Sequence, residues 1–370
     1  MLKLRVIQAK FGDCLIVEYG SSDNPKYMLI DGGPGGVYKS YLRDELLSIK
    51  ESGGQLELMV LSHIDGDHIV GLIQFTEELK EQQADEVEPV IEVKQLWMNS
   101  FSQSIGKNNK ITQGLNTLNS KVQHVLSTMP ETERAFLSIP QGNTLHRNAL
   151  LLNIPVNSTA NYGTISCDTL PQPVQMENLK ITIIGPNEAN LNQLEEEWKA
   201  WIVENENKIM MSDPEILAYI DRSVPNLSSI MFLMEAEGKS VLFTGDGRGD
   251  FILEGLEYRK LLDEEGRIHV NIFKVPHHGS IRNASETFFL KVTADKYVIS
   301  GDGHHGNPDY ETLKHIVEAA AKQNRKVELV CTNETESTKK LTVSFPPKNY
   351  PYTLTYLPKD KSSLSLNLLD

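Results

Sequence analysis

Three observations in the sequence predict a mixed α/β fold. Short β-type runs are punctuated by Gly, Asp, Asn and Pro, helical apolar spacing intervenes between several of them, and potential metal ligands recur where the runs stop. Open sheets of this class commonly carry their sites on loops beyond strand ends, so the third observation ties fold to function. With 39% apolar residues in 370, the chain has ample material for one large or two ordinary cores.

Leu2 to Ala9, Cys14 to Tyr19 and Lys26 to Ile30 read as the strands of an opening antiparallel meander. The third run ends at Asp31-Gly32-Gly33-Pro34-Gly35-Gly36. This loop lacks both the Gly-Lys-Ser/Thr ending of a phosphate loop and the spacing of a dinucleotide fingerprint, and it reads as a turn presenting Asp31. The spacing of Leu42, Leu46, Leu47 and Ile49 predicts a helix over Tyr41 to Lys50; Leu56 to Leu61 follows as a buried strand and Ile69 to Lys80 as a helix. Residues 82–175 are less regular, with a strand-like Gln95 to Met98 and one helical face at Leu115, Leu118, Val122, Val125 and Leu126. They read equally as a lid, a substrate-selecting insertion or a solvated elaboration of the core. A second regular block opens at Leu179 to Pro186, followed by a helix rich in Glu and Trp. A hairpin of Ser228 to Glu235 and Ser240 to Phe243 comes next, then strands at Asn271 to Val275 and Lys296 to Ser300.

The chemistry concentrates in Ser62-His63-Ile64-Asp65-Gly66-Asp67-His68, directly after the apolar run Leu58 to Leu61. Two imidazoles and two carboxylates on one short loop crowd lone pairs and negative charge, a cost that a divalent cation relieves. Further strand ends carry Thr244-Gly245-Asp246-Gly247, Pro276-His277-His278-Gly279-Ser280, and Gly301-Asp302-Gly303-His304-His305-Gly306-Asn307-Pro308. By contrast, His124, His146, His269 and His315 are read as structural, as are Trp97, Trp198 and Trp201. Glu195-Glu196-Glu197 is read as a solvated helix face.

The pattern His63-x-Asp65-x-Asp67-His68, then Asp246 after a Thr-Gly pair, then His277, resembles the metallo-β-lactamase superfamily over most of the chain. Asp65 stands where the commonest family form has His. This substituted form, with Gly12-Asp13, Leu29-Ile30-Asp31-Gly32-Gly33 and Pro-His-His-Gly-Ser, is similar to the C-terminal hydrolase domain of ComEC-type competence proteins. His305-Gly306-Asn307-Pro308 matches a late Gly-His-Pro element of those proteins loosely, and Asn226-Leu227-Ser228-Ser229 stands where a family histidine is expected. The resemblance implies a single domain over 1–370, a four-layer αββα sandwich with a helical or irregular insertion at about 82–175, and a one- or two-metal site between its sheets. Carried over by position, His63 and Asp65 hold one ion, Asp67 and His68 the other, Asp246 bridges them and His277 completes the second. Asp31 is expected to orient the ligands without touching metal. Asp67 is read as both ligand and proton acceptor. His278, His305 and Asn226 are left between binding metal, positioning substrate and hydrogen-bonding the leaving group.

An ion with an open position lowers the pKa of its water to about 7, and a second ion roughly 3.5 to 4 Å away clamps the attacking and leaving oxygens at a phosphodiester. Two zinc ions are expected first and manganese second, because carboxylate-rich ligand sets make manganese competitive. The expectation is therefore a metal-dependent hydrolase using activated water, foremost a phosphodiesterase or nuclease. The alternative is hydrolysis of a carboxylic ester, thioester or lactone by the same centre. Two further classes rank lower: a redox di-iron protein, which typically has Glu in place of Asp65, and a binding protein with a vestigial centre. A net charge of -14 disfavours a broad electrostatic grip on nucleic acid, so an anionic small molecule or a nucleic-acid substrate would be held locally by the cations. A homo-oligomer and a partner encoded nearby both stay open. The three separated cysteines suggest buried thiols. Met1 to Ile7 alternates like a strand and lacks the apolar core of a signal peptide, from which a cytoplasmic location without membrane attachment is expected.

Overall fold

Successive side chains of a strand point to opposite faces, so a strand that is apolar at every position must be covered on both sides. The opening strands β1 (Leu2–Ile7), β2 (Leu15–Ser21), β3 (Asn24–Ile30) and β4 (Leu56–Val60) meet this condition over part of their length, with buried apolar residues on both faces. Leu2, Leu4, Val6, Leu15, Val17, Met28, Ile30, Leu58 and Val60 join one buried cluster, whereas Ile7, Ile16, Leu29 and Met59 join another. The computed structural model describes residues 1–99, 138–189, 191, 228–281 and 284–368.

With β5 (Leu96–Trp97) and β14 (Ser363–Asn367), these strands form a six-stranded sheet in the order β14-β1-β2-β3-β4-β5. The second sheet has eight strands: β6 (Val174–Met176), β7 (Leu179–Gly185), β8 (Met231–Ala236), β9 (Lys239–Phe243), β10 (Ile268–Lys274), β11 (Val292–Ile299), β12 (Val327–Cys331) and β13 (Tyr352–Tyr356). They run in sequence order across the sheet, antiparallel from β6 to β9 and parallel from β9 to β13. Ile181, Ile183, Phe232, Met234, Phe243, Ile272 and Val298 meet the inner face of the first sheet in one shared core.

Helices cover the outer faces. Leu46 and Ile49 of α1 (Arg43–Glu51), Leu72 and Phe75 of α2 (Gly66–Ala84) and Leu145 of α3 (Ser138–Leu151) pack on the first sheet. Ile252 and Leu256 of α4 (Gly249–Tyr258), Phe288 and Phe289 of α5 (Glu286–Lys291), Ile316 and Val317 of α6 (Tyr310–Lys322) and Leu341 of α7 (Glu336–Ser344) cover the second. The result is the four-layer αββα sandwich that the resemblance implied.

Two local differences from the sequence reading bear on the site. Helix α2 begins at Gly66 instead of Ile69, which puts Asp67 and His68 in its first turn, where the helix dipole favours a carboxylate. Within residues 82–175, β5 pairs with β4, and Ile165 enters the core between the sheets. The predicted helical face from Leu115 to Leu126, the Glu/Trp-rich segment and Asn226 lie outside the described residues.

The Asp31 loop and the start of α2 are stitched together at contact distance. Gly32 N donates to His68 O at 2.8 Å and Gly71 N to Gly33 O at 2.9 Å. A Cβ on Gly71 would lie 1.9 Å from Gly32 O, so any side chain there drives the helix off the loop. Gly71→Ala is therefore expected to lower the thermal unfolding midpoint, at a cost at or above the about 1–3 kcal/mol typical of overpacking. A midpoint equal to wild type would contradict the close approach.

Candidate metal centre

Five strand ends meet at one edge of the sandwich. Asp31 follows β3, His63 to His68 follow β4, Asp246 follows β9, His277 and His278 follow β10, and His304 and His305 follow β11. The pairs β3/β4, β9/β10 and β10/β11 are parallel, so in each sheet these loops emerge at the same end.

Asp246, 2% exposed, stands at the middle of the cluster. Its Oδ2 is 3.6 Å from His63 Nε2 and 3.6 Å from His277 Nε2, and His63 Nε2 is 3.4 Å from Asp65 Oδ2. Its other oxygen, Oδ1, is 3.4 Å from His68 Nε2 and 3.8 Å from His278 Nε2. On that side His278 Nε2 lies 3.1 Å from Asp67 Oδ2 and 3.3 Å from His68 Nε2. Two ligand groups thus share one carboxylate.

All six residues expected to bind metal converge here, in an arrangement that differs from the expected one at a single point. His277 faces the His63 side, and His278 instead joins Asp67 and His68. The backbone explains how neighbours in sequence address opposite oxygens. His277 and His278 have φ of 49° and 54°, a left-handed conformation uncommon outside glycine, and their rings stand at 89° to each other. Such strain persists only where the surrounding structure over-determines it, as at functional sites. His278 is 3% exposed, which leaves it little surface for a substrate and suits it to a ligand's place.

The donor set fits a cation. Most of the N···O separations of 3.4–3.9 Å are longer than good hydrogen bonds, and His63 Nε2 is buried without a hydrogen-bond partner. Two ligands each about 2.1 Å from a tetrahedral ion lie roughly 3.4 Å apart, which is the spacing seen. Without an ion, protons balance the charge. Burial alone would lower His278, but Asp13 and Asp246 raise it to about 10. His68 is likewise held well above its ordinary value against burial, by Asp31, Asp67 and Asp246. Burial works against the charge of Asp246 and Asp67, yet the histidines around them keep both below the usual carboxylate range. Asp65 goes the other way, because burial outweighs the pull of His63. Divalent cations compete with such protons for the same lone pairs.

The far nitrogens are also engaged. His68 Nδ1 is 2.8 Å from Asp31 Oδ2, and Asp31 accepts from Ser62 N and Ser62 Oγ at 2.7 Å each. Ser62 Oγ is in turn 3.0 Å from His63 Nδ1. A carboxylate on the far nitrogen fixes the tautomer and aims the other nitrogen at the cluster. His305 is exposed beside His304 and Phe11, with ring centroids 4.1 and 6.1 Å away, and burial together with His304 holds its imidazole below the ordinary value.

Sequence reasoning names Asp13 only as part of a motif and misses its partner Lys274; the two form a pair 1% exposed each with Nζ 2.7 Å from Oδ2. One signal was present: a lysine interrupting the apolar run Ile272-Phe273-Lys274-Val275.

No family model matches the chain. A 75-residue stretch, 20% of the chain, is 35% identical to microtubule-associated protein 1A of Rattus norvegicus and, equally, of Mus musculus. That stretch spans only 3% of those relatives' length. Among solved structures, a diphosphatase of the PhnP family is similar at 11% identity and a TM-score of 0.41, covering 100% of this chain and 98% of that one. Zinc-bound PqqB from Methylobacterium extorquens follows at 9% identity and 0.38, covering 99% and 100%. A metallo-β-lactamase from Staphylococcus aureus stands at 10% identity and 0.32, covering 96% and 98%. These likenesses are weak, and the architecture rests on the strand order and the three apolar clusters. Among the described residues, no helix is long and apolar enough to cross a membrane.

Proposed function

We propose that the chain is a metallohydrolase of the metallo-β-lactamase superfamily, with phosphodiesters, nucleic acids among them, as its substrate class. One observation carries the reading: Asp246 offers one oxygen to the group around His63 and the other to the group around His68. Paired cation sites bridged in this way are typical of phosphoester hydrolysis. His63, Asp65, Asp246 and His277 would hold one zinc or manganese ion, and Asp67, His68, Asp246 and His278 the other. Such ions would activate water at neutral pH and stabilise the charge on the phosphoryl oxygens.

The chain's own residues supply the rest. Asp31 and Ser62 fix the rings of His68 and His63 through their Nδ1 atoms. Asp67, its side chain 24% exposed, has an open face from which to accept a proton from water. His305 and His304, at exposed positions beside Phe11, would meet the leaving side of the substrate.

The test is turnover by protein loaded with zinc or manganese against single-stranded DNA, RNA, cyclic dinucleotides and a bis-aryl phosphodiester, beside carboxylic esters, thioesters and lactones. Cleavage of at least one phosphodiester is expected, and its loss in Asp67→Ala. Intact phosphodiesters beside hydrolysis of an ester, thioester or lactone would move the assignment to that class.

A further inference from the structure

We propose that Asp13 and Lys274 form a buried positioning pair that aims the ring of His278 at the ligand group of Asp67, His68 and Asp246. The inference rests on the metal-centre reading above. Asp13 lies between β1 and β2 of the first sheet, and Lys274 is the last residue of β10 in the second, so the pair spans the two sheets. Lys274 Nζ is 2.7 Å from Asp13 Oδ2 and donates to Val275 O at 2.9 Å. That leaves Asp13 Oδ1, which is 3.4 Å from His278 Nδ1; the same nitrogen is 3.1 Å from Ser300 O.

Both neighbours of Nδ1 are acceptors, so Nδ1 carries hydrogen, and in the neutral ring the lone pair is at Nε2. Nε2 is the atom facing Asp67 Oδ2 at 3.1 Å and His68 Nε2 at 3.3 Å. Ser300 O takes the hydrogen bond of Nδ1, and the Asp13 carboxylate, 3.4 Å away, adds its charge on the same side of the ring, a longer-range counterpart of Asp31 beside His68. Lys274 has a separate effect. Ligating atoms of Asp13, His68 and His278 lie within 4.8 Å of one another, close enough for Asp13 to be drawn onto a cation itself. With one oxygen held by an ammonium and its charge offset, Asp13 serves the ring as an oriented acceptor. Its turn also braces the ligand loops: Asp13 N donates to Asp67 O at 3.3 Å, and Ser300 Oγ to Gly12 O at 2.6 Å.

The experiment titrates zinc into chelator-stripped full-length protein against a chromophoric competitor, with stoichiometry from native mass spectrometry. Two zinc affinities are expected in wild type. Asp13→Asn leaves Lys274 buried beside a neutral amide, so the double variant Asp13→Asn/Lys274→Met, which removes both charges, is titrated beside it. The expected result is that one affinity falls about 10–100-fold while the other stays within about threefold. Two unchanged affinities in the folded double variant would overturn the inference. So would an equal fall in both, which marks general damage to the fold. Wild type that takes up no zinc would instead remove the metal-centre reading itself, so the two failures are distinguishable.

Discussion

Asp246→Asn is expected to abolish metal-dependent turnover and to weaken zinc binding at both ligand groups together. Asparagine keeps the shape of the side chain and removes the charge that four histidines surround, so the variant isolates electrostatics from packing. Oδ2 serves His63 and His277 while Oδ1 serves His68 and His278, so both groups draw on one carboxylate. Loss of a partner one bond removed from a metal typically costs about 10–100-fold in affinity, and loss of a shared ligand is expected to exceed about 100-fold. Competition titration and native mass spectrometry read the result. An Asp246→Asn protein that keeps one ion at wild-type affinity would show that the carboxylate is not shared.

The second large effect follows from metal removal. His278 is raised to about 10 and His68 well above its ordinary value of 6.5 in the absence of an ion. A group whose folded value is raised contributes stability that is full below its unfolded value and is lost as pH climbs through the folded one. The stripped protein should therefore lose thermal stability between about pH 7 and pH 10. Asp67 and Asp246, held below 3.8, act oppositely: their contribution is present above the ordinary carboxylate range and vanishes on acidification below it. The loaded protein should unfold at a higher temperature and vary less over the alkaline window, because its ligating nitrogens have already given up their protons. Loading at neutral pH should also release protons, seen by calorimetry in two buffers of different ionisation enthalpy. A stripped protein whose midpoint is flat or rising from pH 7 to pH 10 would contradict this account.

Much of this was legible in the sequence because the signals were local. The alternation of Leu2, Leu4 and Val6 and the two-sided apolarity of β4 gave the opening sheet, and each ligand motif lay at the end of a strand found by pattern. The stretch beyond Pro308 carries no ligand motif to anchor a reading, although it holds α6, β12, α7, β13 and β14. Its last strand pairs with β1 from the far end of the chain, a non-local contact that no window of sequence reports. The exchange of His277 and His278 between ligand groups was hidden for another reason. It depends on two consecutive left-handed residues, and motif spacing carries no information on φ. Asp13 and Lys274 come from opposite sheets, and only the packing of the two sheets brings them together.

Crystals grown with zinc and, separately, with manganese would test the shared centre most directly through anomalous difference maps. Two peaks are expected to flank Asp246, one bounded by His63, Asp65 and His277, the other by Asp67, His68 and His278. Maps without a peak among these residues, or with metal bound only elsewhere on the protein, would contradict it.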